Sequence, residues 1–260
     1  MLLVKIALVP VLIGLLSVAG RRWGPAVGGW LAGLPWTSGP VALFLALEHG
    51  TAFASSAAQG TVMGLISVAG FCLVYAVAAR TRGWAASVLI GWAAFFLLTA
   101  ALNNITMSLI LACGGTLAVL AVATIALPAG RRLSAARSSP WWEIPLRMVA
   151  ALGMVLLITG AAASLGPRLS GLLSPFPIFA TVLAAFTHQF DGADAAAALL
   201  RGVLIGMFSF ALFFAILAAT LTSWNVTAAF GAAVLGAILM HVIGLFVLKS
   251  RLEVERHTSA

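Results

Sequence analysis

Apolar runs of eighteen residues or more recur along the whole 260-residue chain, and they decide its solvent. About 20 helical residues cross a hydrocarbon core about 30 Å thick, so each run is long enough to span a bilayer. Hydrophobic residues make up 63% of the chain and charged residues 8%, whereas a soluble domain carries roughly a quarter charged. No water-soluble fold of this length hides that much apolar surface. In lipid every backbone N–H and C=O must find a partner within the protein, which leaves helices or a closed barrel, and a barrel would show short alternating segments. The expected fold is an all-α polytopic membrane protein of about nine transmembrane helices, with spans at 3–20, 24–49, 53–79, 84–101, 104–128, 144–165, 168–190, 195–221 and 225–248. Met1 to Gly20 resembles a signal peptide, but Arg21 and Arg22 stand where a small-residue cleavage site would be, so it reads as the first span.

The net charge of +8 comes from cations placed singly and in pairs beside the apolar runs. That placement signals topology and excludes a nucleic-acid surface. With this set of spans, Arg21, Arg22, Arg80, Arg82, Arg131, Arg132, Arg137, Arg147, Arg201, Lys249, Arg251 and Arg256 fall on one side, and only Lys5 and Arg168 on the other. The positive-inside rule then puts the N-terminus outside and the C-terminal tail in the cytoplasm of a bacterial inner membrane. Cys72 and Cys113 both fall inside spans, which disfavours a disulfide or a thiolate metal site; no metal and no cofactor is expected.

A single gapless offset of 142 residues superimposes Gly24 on Gly166, Pro25 on Pro167, Gly29 on Gly171, Pro35 on Pro177, Gly50 on Gly192, Gly60 on Gly202, Gly64 on Gly206 and Phe71 on Phe213. With two residues lost, Trp84 falls on Trp224 and Gly91 on Gly231. The chain therefore divides into a four-helix repeat over 1–101, a linking helix and basic loop over 102–143, a second four-helix repeat over 144–250, and a tail over 251–260. The unmatched fifth span puts an odd number of crossings between the starts of the repeats, so they are inverted, a 4+1+4 arrangement.

The second half reads Leu169-Ser-Gly-Leu-Leu-Ser-Pro-Phe-Pro-Ile-Phe179, then His188, Gly192, Leu200-Arg201-Gly202, Gly206, Ser209 and Phe213-Phe214. Over about residues 168–221 this resembles the GlpM family of small four-helix bacterial membrane proteins. The resemblance implies architecture and carries no chemistry: the chain would be a fused form of two such units. The first half departs from the pattern, with Gly33-Leu-Pro35 and Thr37-Ser-Gly-Pro40 facing Ser174-Pro175-Phe-Pro177, and Ala46 facing His188.

Proline removes a backbone donor and glycine permits nonhelical dihedrals, so spans 2 and 7 should break at Pro35 and Pro177. Each break lies about 11 residues, or about 16 Å, from its helix start, near the bilayer midplane. New half-helices should start with Thr37 or Ser38 before Pro40, and with Ser174 before Pro175. Paired broken helices at the interface of inverted repeats form the central sites of many secondary transporters, with N-terminal dipole ends facing an anionic group. The expected substrate-binding residues are Pro35, Thr37, Ser38, Gly39, Pro40, Ser174, Pro175 and Pro177. The competing explanation is that these residues only kink helices and let them pack closely.

Ionisable groups near or within the spans supply gate or proton-relay candidates: Glu48 at the outer end of span 2, His188 and Asp191 at the inner end of span 7, and His241 inside span 9. No HExxH, Walker loop or other enzyme signature occurs, and none is expected. The leading expectation is a non-enzymatic secondary transporter or permease for a small solute, an anionic one suiting the half-helix termini. The alternative is a nontransporting membrane protein assisting envelope or exopolysaccharide assembly. Oligomeric state is not encoded in any feature of the sequence.

Overall fold

The structure is a computed structural model that describes residues 2–127, 140, 142–162 and 175–257. Among them every regular element is a helix. In chain order these are α1 (Leu2–Trp23), α2 (Pro25–Ala32), α3 (Ser38–His49), α4 (Thr51–Ala78), α5 (Trp84–Asn103), α6 (Leu109–Ala126), α7 (Glu143–Ala162), α8 (Ile178–Asp191), α9 (Ala193–Thr220) and α10 (Val226–His257). Five of them, α4, α5, α6, α9 and α10 as far as Ser250, are long and apolar enough to cross a membrane. The chain is an integral membrane protein.

Burial separates an inner pair from an outer shell. Two thirds of the most apolar window of both α4 and α9 is buried, against 22–33% for α5, α6 and α10. The outer helices turn large apolar side chains such as Leu97, Ile110, Ile125 and Leu239 outward, an apolar surface that only lipid can cover. Fully buried Phe71, Tyr75, Phe95 and Phe214 fill the interior.

Glycine and proline set the helix ends. Gly24 at φ +97° ends α1, and Pro25 opens α2 at a position where its missing N–H has no partner to lose. Gly50 (φ 86°, ψ 163°) and Gly192 (φ 93°, ψ 174°) hold the same glycine-only conformation immediately ahead of α4 and α9. Both of these helices are 28 residues long. An offset of 142 relates the two glycines, the starts Thr51 and Ala193, the ends Ala78 and Thr220, and the ends of α3 and α8 at His49 and Asp191. It also relates the starts of α5 and α10, Trp84 and Val226; Trp84 opens its helix and Trp224 precedes its own.

The fifth span starts later than expected, at Leu109 rather than 104, because Ser108 caps it by accepting the Leu111 N–H at 3.4 Å. At its far end the Leu127 carbonyl accepts a 3.0 Å hydrogen bond from Arg201 on α9. That arginine, counted in the sequence as a loop cation, ties the end of α6 to α9.

Candidate functional site

The chain is nonhelical from Gly33 to Thr37, between α2 and α3. Two contacts put this break on α9. A Cβ on Gly33 would lie 2.5 Å from Gly206 Cα and 2.9 Å from Met207 N, and one on Gly206 would collide with the Trp30 carbonyl. One turn earlier, Gly29 and Gly202 leave room only for the backbones of Leu199 and Ala26. Glycines four apart on each helix thus permit backbone-to-backbone contact, the small-residue packing that joins helices in lipid. Gly206 is the midpoint of α9, about 20 Å from either end at 1.5 Å per residue.

Around the break, Ser38 and Gly39 are buried, Gly39 against the Phe213 ring, while Pro35 and Thr37 are half-buried. Trp36 and Pro40 face outward. Trp36 Nε1 donates to the Leu31 carbonyl at 2.8 Å, satisfying one of the last acceptors of α2. Thr37 occupies the N-cap position expected, but its side chain makes no cap hydrogen bond. Instead the Gly39 N–H donates to Pro35 O at 2.9 Å and the Val41 N–H to Thr37 O at 3.2 Å, and Pro40 has no N–H. The first turn of α3 therefore offers an anion few free donors.

The second break is described from Pro175 onward; Ser174, with Gly166, Pro167, Arg168 and Gly171, lies outside the described residues. Pro175, Phe176 and Pro177 are buried. Helix α8 starts at Ile178 with Pro177 as N-cap, rather than at Pro175 behind Ser174, because the Ile178 N–H turns back to Phe176 O at 2.7 Å. The Phe176 ring sits 5.2–5.9 Å from the rings of Trp92, Phe95 and Phe96. Trp92 Nε1 donates to Thr181 Oγ1 at 3.1 Å. Aromatic packing on α5 thus fixes where α8 begins.

The four gate or relay candidates occupy three places. Glu48 is exposed at the end of α3. His241 is buried halfway along the bundle, where its ring stacks on Trp30 of α2 at 3.9 Å and 12°. Ser209 of α9 donates to Gly206 O at 2.6 Å, so in the 3.0 Å contact between Ser209 Oγ and His241 Nδ1 the proton is carried by Nδ1. His188 and Asp191 lie together on the last turn of α8, and His188 Nδ1 meets the hydroxyl of Tyr75, the chain's one tyrosine, at 3.3 Å. Burial pushes the Asp191 carboxyl up, as does the charge of Glu143, while Arg147 and Arg21 oppose the shift.

Next to Asp191 is a group that the sequence reading missed. Glu143, fully buried at the start of α7, accepts from Arg147 Nε at 3.0 Å and from Arg147 Nη2, and pairs with Arg21 Nη2 of α1 at 2.5 Å. Arg147 also points Nη1 at Ser17 Oγ, 3.4 Å away, and lies over the Phe186 ring. Its i,i+4 spacing from Glu143 was the available signal; counting Arg147 as a loop cation hid it. Comparison with family models, curated proteins and solved structures gives no match for this chain.

Proposed function

We infer that the protein is a secondary transporter or permease for a small solute, with its site where the α2–α3 break meets α9. The observation that carries this is the nonhelical Gly33–Thr37 segment held against Gly206, at half the length of a membrane-spanning helix. Irregular backbone at that depth persists only under protein or beside a water-filled cavity, and it is the form that solute sites take in transporters built from inverted repeats. The 4+1+4 inverted repeat is part of the same reading. It draws support from the 142-residue offset that relates the ends of α4 and α9 and their capping glycines. Nine crossings follow if α1 and α7, 22 and 20 residues long, also span, and if α2 with α3 counts as one span and α8 completes another. The likeness to the GlpM family and the N-out, C-in orientation in a bacterial inner membrane belong to this proposal too. Because Gly39 N–H and Val41 N–H are already taken by Pro35 O and Thr37 O and Pro40 has no N–H, the first turn of α3 offers an anion few free donors.

Flux of a panel of neutral and anionic small solutes into proteoliposomes tests the proposal. Flux above that of empty liposomes is expected, and Pro35→Ala and Ser174→Ala should reduce it. Absence of flux for every solute, together with continuous helices and no cavity at Thr37 or Ser174 in an experimental density map, would overturn it.

A further inference from the structure

Every polar contact described between α1 or α4 on one side and α7 or α8 on the other lies at one end of the bundle. Arg21 and Ser17 are near the C-terminal end of α1, and Tyr75 is in the last turn of α4. Their partners Glu143 and Arg147 open α7, and His188 is in the last turn of α8. In the proposed orientation this is the cytoplasmic end, and each contact joins the first four-helix unit to the second.

The position of these contacts relates them to the break. Helix α2 starts two residues after Trp23, and its eight residues reach the break about 12 Å away. Helix α8 runs from the second break to Asp191, 14 residues or about 21 Å. Arg21, Glu143 and Arg147 meet at this end, where α1 lies against α7 and Arg147 lies over Phe186 of α8.

The chemistry suits a contact that must open. Arg21 keeps 38% of its side chain exposed while Glu143 is fully buried, so the pair between units gives up hydration mainly at the carboxylate and adds little to helix association. Apolar packing, however, resists wetting, whereas a charged cluster exchanges its partners for water once water enters. Glu143 sits where the N-terminal dipole of α7 favours an anion, and Arg21 where the C-terminal dipole of α1 favours a cation, so each charge is supported by its own helix when the pair parts.

We propose that Arg21, Glu143 and Arg147 form a latch between the two four-helix units that closes the cytoplasmic route to the break. The latch rests on the transport reading, and the test below separates the two. The full chain, with Cys72 and Cys113 replaced by alanine and Ser38 by cysteine, is labelled with a membrane-impermeant maleimide from each face of sealed membranes. Arg21→Gln removes the ionic link between units and leaves Glu143 paired with Arg147, with the Arg147–Ser17 and Tyr75–His188 contacts still in place. It should raise the labelling rate from the Arg21 face by about threefold to fivefold, the shift expected from loss of a charge-assisted hydrogen bond whose arginine is 38% exposed. Arg21→Lys should keep the rate near the parent's. Glu143→Gln should act like Arg21→Gln, and if it fails to fold, Arg21→Gln alone decides. Labelling from the opposite face only, unchanged in Arg21→Gln, would overturn the latch and spare the transport reading. A Ser38→Cys thiol that reacts from neither face in any variant would overturn both.

Discussion

Gly33→Ala tests the contact on which the site depends. The added Cβ would lie 2.5 Å from Gly206 Cα, 2.6 Å from Gly206 C and 2.9 Å from Met207 N. All three are backbone atoms, so no side chain can turn aside. Carbon atoms in contact rest about 3.5–4.0 Å apart, so α2 must withdraw from α9 by about 1–1.5 Å. Overpacking of this kind costs about 1–3 kcal/mol, and in lipid no hydrophobic drive closes the gap again. Gly206→Ala strains the same contact from the other side, so the double variant should cost less than the sum of the two single variants. Gly114 on α6 is the control: a Cβ there meets nothing within 4 Å. Gly114→Ala should be neutral or stabilising, since glycine is a poorer helix former than alanine by about 1 kcal/mol. Reversible unfolding in lipid–detergent mixtures measures all four proteins. If Gly33→Ala costs no more than Gly114→Ala, the two helices are not in backbone contact and the site has been misplaced.

Three further variants probe other parts of the account. Gly50→Ala and Gly192→Ala should each destabilise by about 1–3 kcal/mol and by similar amounts, since both glycines hold the same positive-φ conformation in open space; clearly unequal losses in the same unfolding assay would count against equivalent repeats. Asp191→Asn should change the pH profile of stability. A carboxyl raised above its ordinary value of 3.8 supports the fold fully while protonated and withdraws that support as pH climbs through the raised value. The melting temperature of the parent should therefore fall relative to Asp191→Asn as pH rises from about 4, and the opposite slope would mean that Arg21 and Arg147 hold the carboxylate ionised.

Features governed by local chemistry were legible in the sequence. The apolar runs locate the helices, and glycine with proline at 33–35 ends α2, because neither backbone can be hidden from physics by distant partners. The 142-residue offset reappears in the helix ends for the same reason: Gly50 and Gly192 need conformations that other residues avoid. Start positions were less legible. Thr37 and Ser174 carry good capping groups, yet the backbone turn at Pro35 supplies the bonds at α3, and aromatic packing of Phe176 sets the start of α8. Pairings across long separations left no local trace. Arg21 and Glu143 lie 122 residues apart, and the stack of Trp30 on His241 joins α2 to α10. A count of loop cations treats Arg147 like any other arginine, although it is buried against Glu143.

The depth of the α2–α3 break in a bilayer tests the central claim most directly. A spin label on Pro40→Cys, an outward-facing position in the first turn of α3, reports depth through the ratio of its collision rates with oxygen, which concentrates in the bilayer, and with a polar nickel chelate, which is excluded. A label within about 5 Å of the midplane of a core about 30 Å thick is the predicted result. A label at the headgroup level would mean that α3 begins at the membrane surface, and the central site would have no bilayer interior in which to lie.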